Sequence, residues 1–196
     1  MIEDDAVIQR LEDAIGRDHL RTGEATRPYG TNGFAPFVVA IPEDRTQAAE
    51  VIRAAADSRV GVLPRGGGTK LGWEPAPSGM VIVLSTERMN RIVHHEPRDL
   101  TLTTEPGVVL DRLNGLLRSH NQRLSVDPPH AARATIGGVC ATNDSGPLRC
   151  RYGTLRDLVV GMEVVEASGA LVRSGGRVVK NAAGYGLHRL HVGAFG

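Results

Sequence analysis

The chain has almost no lysine: of 23 basic residues only Lys70 and Lys180 are lysines, and they leave a formal net charge of +1 against 22 acidic residues. Such a balance exerts no global pull toward nucleic acid or an anionic membrane, so a small molecule is the expected partner. Aromatic residues are scarce too, at 4%. No apolar run reaches the ~18 residues of a spanning helix. The opening MIEDDAVIQR is acidic where a signal peptide would be basic and then apolar. A cytoplasmic protein is expected, or one peripheral to the inner membrane through a complex. Cys140 and Cys150 are the only cysteines and form neither CxxC nor a His-rich pattern. No metal is expected, and in that compartment the two read as reduced thiols in preference to a disulfide.

Glycine, in contrast, is abundant: 24 residues of 196, with twelve of them in 137–196, against about 7% on average. The length suits one ordinary domain or two small lobes. The densest cluster is in residues 60–72, VGVLPRGGGTKLG, where a β-branched run enters three consecutive glycines flanked by Arg65 and Lys70. Consecutive glycines let backbone N–H groups converge on an anion, and two cations add charge at the rim, so the segment reads as a phosphate loop. A Walker loop or a Rossmann fingerprint would run on into a helix. Here Leu71, Gly72, Trp73, Glu74, Pro75, Ala76 and Pro77 follow, and they will not continue one. Loop amides, with no helix dipole behind them, must then hold the phosphate. Both lysines sit beside glycine clusters, RGGGTK and GGRVVKN; a placed ammonium and the chance survival of two lysines are both open readings.

Residues 4–15 predict an amphipathic helix, followed by an irregular stretch. Phe37–Ile41 reads as a strand, residues 47–58 as a helix with Val51, Ile52 and Ala55 on one face, and Val60–Leu63 as the next strand. That order is a βαβ unit with parallel strands ending at the glycine loop. Met80–Leu84 is a further buried strand. Beyond Arg91, residues 100–103 alternate as a half-buried strand, and residues 108–122 place Val109, Leu113, Leu116 and Leu117 at helical spacing. Segments 159–167 and 170–173 flank Ser168-Gly169 as a hairpin.

A second glycine surface, ATIGGVCATNDSG, spans residues 134–146, where Gly137-Gly138 would let backbone approach a flat ligand. On spacing alone it could equally be a turn beside a helix start. The ordered set PRGGGTKLGW, EPGVVL, DPPH with ATIGGVCATNDSGP, RYGTLRDLV and GGRVVKNAAGYG resembles the FAD-binding domain of the p-cresol methylhydroxylase and vanillyl-alcohol oxidase family. Within that family it is most similar to the FAD-binding subunit of glycolate oxidase and its D-lactate dehydrogenase relatives. The resemblance covers roughly residues 35–196 and implies an α+β, two-lobed FAD-binding domain. A small βαβ parallel lobe (35–90) would follow an N-terminal helix and irregular segment (1–34), and a larger lobe with antiparallel sheet and flanking helices would occupy 91–196.

The resemblance also implies a site. Pro64, Arg65, Gly66, Gly67, Gly68, Thr69, Lys70 and Leu71 would form the pyrophosphate loop, and Glu105, Pro106 and Gly107 would lie toward the adenosine. Ala134, Thr135, Ile136, Gly137 and Gly138 would pass along the flavin and pyrophosphate with Ser145 and Gly146 beside them, and Arg151, Tyr152 and Gly153 would close that wall. No catalytic base is named. Lys180 or Arg151 could supply a cation to the ring, against the alternative that both are structural or sit at the domain surface. Similar sequences with covalent flavin carry His just after the glycines, so Thr69 implies non-covalent FAD. His130 could face substrate or solvent, and His188 with His191 is at best a partial metal site. Gly186 stands where similar sequences have Asp capping the last helix, a change glycine tolerates. HVGAFG stops where similar sequences continue into a further strand and a substrate domain, which implies a cofactor half, a trimmed piece of a longer chain or a degenerate subunit, expected to self-associate or to join a partner oxidoreductase or iron-sulfur subunit. The implied function is the FAD-binding domain or subunit of an oxidoreductase of small 2-hydroxy acids. The alternatives are a non-catalytic FAD module that assembles with catalytic or electron-transfer subunits, and a phosphate-binding domain that has lost FAD.

Overall fold

The computed structural model describes residues 2–31, 33–73, 77–177 and 186–196, with side chains from residue 5 onward. Two compact units emerge: residues up to Arg88 together with Val165–Val172, and Met89–Val164 together with Arg173–Gly196. Among the described residues no helix is long and apolar enough to cross a membrane.

In the first unit, helix α1 (Ile2–Ile15) buries Val7, Leu11 and Ile15, a four-residue spacing that lines one face, and it packs against α2 (Arg45–Asp57). The first strand, β1 (Leu20–Thr22), pairs antiparallel with β2 (Val38–Ala40). Helix α2 starts where the sequence supplies a cap: the Asp44 carboxylate accepts from the Gln47 amide at 2.9 Å, a contact worth about 1 kcal/mol. Its buried face is Ala48, Ala49, Val51 and Ala55. β3 (Gly61–Arg65) and β4 (Val81–Ser85) complete a sheet of order β1-β2-β4-β3, in which β2, β4 and β3 run parallel.

The expected parallel βαβ unit is present, and β4 lies between its two strands, β2 and β3. All five residues of β4 are buried, so it takes the central place, where both edges are paired and both faces covered. β3, with Pro64 in it and Gly61 exposed, suits the outside. One face of the sheet gathers Val39, Ile41, Val81 and Val83 beneath Phe34, with Tyr29 and Leu63 packed against them. The irregular stretch after β1 is therefore the layer that covers that face.

In the second unit, β5 (Ile92–Glu96) and β6 (Thr101–Thr104) form an antiparallel pair with an irregularity between Ile92 and His94. The strand expected from residue 100 begins at Thr101, because Leu100 sits at φ 55 in the preceding turn and is 77% exposed. Helix α3 (Leu110–Arg118) buries Leu110, Leu113 and Leu117. Val109 is its N-cap and Leu116 is exposed, so the apolar stripe runs i, i+3, i+7 from Leu110 and excludes two of the four residues expected on it.

Then follow α4 (Ile136–Thr142), α5 (Arg149–Tyr152), α6 (Leu155–Leu158), the pair β7 (Gly161–Val165) and β8 (Leu171–Gly175), and α7 (His188–His191). The hairpin turn falls at Ser168-Gly169: the Glu166 amide donates to Ala170 O at 2.9 Å and Gly169 sits at φ 76. The N-cap of α7 is Leu187, and Gly186 O accepts from the Arg189 amide at 2.9 Å, so the capping place expected at Gly186 lies one residue further on.

Both cysteines are free. Cys140 packs against the cluster of Leu110, Val126, Ala134, Val139 and Leu155, and burial pushes its thiol up to about 12. Cys150 is exposed. A thiol reagent at pH 8 is expected to modify one cysteine in the native chain and both after denaturation, since the thiolate is the reacting form. Mass spectrometry finding Cys140 labelled as fast as Cys150 would contradict this burial.

Candidate cofactor site

The glycine loop leaves β3 at its C-terminal end. Parallel strands place loops there, where ligands of open α/β sheets collect. Among the described residues, the backbone amides of Gly66, Gly68 and Thr69 meet no acceptor within the chain. Unmet donors are costly when shielded, and here they suit an anion's oxygens. Gly68 adopts φ +66, which an L side chain rarely takes. Lys70 Nζ donates to Thr69 Oγ1 at 3.2 Å and lies 5.7 Å from the Trp73 ring centre, so an ammonium stands on the loop itself.

Arg65 is not at the rim. Its guanidinium folds back under its own loop: a Cβ on Gly68 would meet Arg65 Nη2 at 2.9 Å, and Nη1 donates to Gly66 O at 3.4 Å. From below, Cζ lies 4.8 Å from the Tyr29 ring centre and Nη2 donates to Pro28 O at 3.2 Å. The Tyr29 hydroxyl donates to both Glu87 oxygens, at 2.9 and 3.2 Å. Burial, and next the Glu87 carboxylate, raise the Tyr29 phenol above its ordinary pKa. Neither Tyr29 nor Glu87 was singled out from the sequence; the signal available was a tyrosine after a proline in a chain with few aromatics.

In the second unit the EPG and ATIGG segments lie side by side. The Leu110 amide donates to Ala134 O at 2.9 Å, that of Ile136 to Val108 O at 2.8 Å, and that of Gly137 to Pro106 O at 2.8 Å. Thr135 caps α4 by accepting from the Gly138 amide at 3.3 Å. The amides of residues 136–138 are thus engaged within the chain. Gly137 has a packing reason of its own, since a Cβ there would stand 2.6 Å from Pro106 Cβ. Glu105 clasps Arg91, accepting from Nε at 2.9 Å and Nη2 at 2.6 Å on one oxygen and from the Arg91 amide at 2.7 Å on the other.

Ser145 Oγ is shielded from solvent with no hydrogen-bond partner among the described residues. It is a buried hydroxyl awaiting one. Gly146 is pressed against Asp127, whose carboxylate accepts from the Leu148 amide at 3.2 Å. Gly153, at φ +77, precedes a capping box in which the Thr154 amide donates to Asp157 at 2.8 Å, and that bond lowers the Asp157 pKa. Two guanidinium groups lie near the Tyr152 ring, Arg123 at 5.3 Å and Arg151 at 5.6 Å from its centre. The Arg151 cation is thus placed on an aromatic face.

Of the remaining candidates, His130 is exposed at φ 59, and its carbonyl accepts from the Arg133 and Ala134 amides, both at 2.8 Å. His188 is buried with its amide on Ser174 Oγ at 3.1 Å, while His191 is exposed. Lys180 and most of GGRVVKNAAGYG lie outside the described residues.

The chain is 35% identical over 161 residues to the glycolate oxidase subunit GlcD of Bacillus subtilis, covering 82% of this chain and 34% of that one. It is 36% identical over 161 residues to D-lactate dehydrogenase of Archaeoglobus fulgidus, with coverage of 82% and 36%. It spans about a third of the length of these curated relatives. Among solved structures it superposes on p-cresol methylhydroxylase with a TM-score of 0.77 at 22% identity, over 93% of this chain and 37% of that one, which shows a shared fold. A family model described as FAD binding domain matches residues 36–175. Since that match takes in both the glycine loop with its unmet amides and the paired EPG and ATIGG segments, the chain belongs to the FAD binding domain family.

Proposed function

We propose that this chain is the non-covalent FAD-binding part of an oxidoreductase acting on a small 2-hydroxy acid such as glycolate or D-lactate. The observation that carries the reading is the loop of Gly66, Gly68 and Thr69, whose amides find no acceptor among the described residues. Its residues bind phosphate through those donors, with Lys70 adding charge. The zipped segments have donors at 136–138 that are already engaged, which suits stacking against a planar ring. When bound, FAD supplies the ring that accepts hydride, and the protein's share is to orient it and exclude competing reactions. Thr69 stands where a histidyl link would form, which supports a cofactor held without a covalent bond.

The folded chain is expected to bind FAD in a calorimetric titration. After acid precipitation the flavin should stay in the supernatant; flavin in the pellet would overturn the non-covalent claim, and no binding by folded protein would overturn the cofactor claim. A second reading, a non-catalytic FAD module that assembles with catalytic or electron-transfer subunits, is favoured by the relative named as a subunit. Anaerobic addition of glycolate or D-lactate to the FAD-loaded chain separates the two: bleaching supports catalysis by the chain itself, and an unchanged flavin spectrum supports the module.

A further inference from the structure

We propose that Tyr29 and Glu87 are positioning residues of the phosphate loop, holding the Arg65 guanidinium as a strut beneath Gly68. The proposal rests on the FAD reading above. Three consecutive glycines have little conformational preference of their own, so a loop built from them needs a support outside its backbone. Arg65 supplies it from the last position of β3: the guanidinium lies 2.9 Å from where a Gly68 Cβ would stand and donates to Gly66 O at 3.4 Å. At the loop's base, the Thr86 amide donates to Arg65 O at 2.9 Å, fastening it to the end of β4.

The strut has its own support. The Tyr29 ring faces Arg65 Cζ at 4.8 Å, in cation–π range, and Pro28 O accepts from Nη2 at 3.2 Å. Two bonds to Glu87, two residues beyond β4, fix the ring from its hydroxyl end. A planar guanidinium can stack on a ring and fork to two carbonyls at once, and an ammonium cannot. The strut also keeps a permanent positive charge behind the amides that receive the phosphates, which strengthens them as donors.

A double-mutant cycle read by FAD affinity tests this. Tyr29→Leu keeps bulk without the ring face, and Arg65→Lys keeps charge without the plane. Each is expected to weaken FAD about tenfold, and the double variant to be within about twofold of Arg65→Lys alone, because Tyr29 acts through Arg65. Tyr29→Phe, which retains the ring, should bind within about threefold of wild type. An additive loss near a hundredfold would overturn the proposal. If Tyr29→Leu does not fold, Tyr29→Met, which likewise removes the ring face, takes its place in the same cycle on the same criterion. A readout independent of FAD is the set of amide NMR resonances of Gly66, Gly68 and Thr69 in the ligand-free chain, expected to move or broaden in Tyr29→Leu and Glu87→Gln. Unchanged resonances overturn the strut. Absence of FAD binding by the wild type overturns the cofactor reading instead, and the resonances then decide the strut.

Discussion

Gly68→Val is expected to weaken FAD binding by about a hundredfold or more, roughly 2.7 kcal/mol. Two effects add. At φ +66 a β-branched residue carries backbone strain, of about 1–3 kcal/mol. Its Cβ would also stand 2.9 Å from Arg65 Nη2, so the guanidinium must leave the underside of the loop or the loop must open. Either movement displaces the amides of Gly66 and Thr69 from a common anion. Gly72→Ala is the control in the same loop, because a Cβ there has nothing within 4 Å and no positive φ; its affinity should stay within about twofold of wild type. Titration of both variants by flavin fluorescence gives the comparison, and a Gly68→Val protein with intact affinity would show that the loop is only a turn.

A large loss of stability is expected from Gly146→Ala. A Cβ at that position would lie 2.4 Å from the Asp127 carbonyl oxygen and 2.7 Å from its carboxyl carbon. The first of these is backbone and cannot swing away. Separating the two segments strains the bonds from the Leu148 amide to the Asp127 carboxylate, so about 3 kcal/mol is expected to be lost. Gly115→Ala gives the opposite sign: it sits within α3 with nothing within 4 Å of its Cβ, and alanine there should add about 0.5–1 kcal/mol. Urea denaturation followed by far-ultraviolet circular dichroism measures both. The only tryptophan, Trp73, belongs to the first unit and would miss events in the second.

Much of the fold is legible in sequence because periodicity reports burial. The α2 face, the β4 run and the Ser168-Gly169 turn all follow from patterns a few residues long. Strand order does not, since β4 enters between β2 and β3 through competition for the centre of the sheet. β5 is hidden because its His94, His95 and Glu96 break the apolar signal of a strand. For the candidate site, RGGGTK reads as a phosphate loop, and the basic residue before its glycines reads as a rim charge. Only three-dimensional packing turns Arg65 inward onto Tyr29, which lies 36 positions earlier in a stretch without any period. Asp127 escapes notice for a similar reason: its work is to receive Leu148 across 21 positions.

β3 is the last strand in the order of its sheet, and Arg65 turns its carbonyl toward β4 to accept from Thr86. In a ladder the backbone groups of successive residues point to opposite sides, so the nitrogen of Pro64 faces away from β4. A proline nitrogen has no hydrogen to donate. A strand from another molecule seeking to extend this sheet would find the ladder interrupted two residues before the glycines. The segment we propose to present the amides of Gly66, Gly68 and Thr69 to a ligand is thereby screened from another polypeptide backbone competing for them.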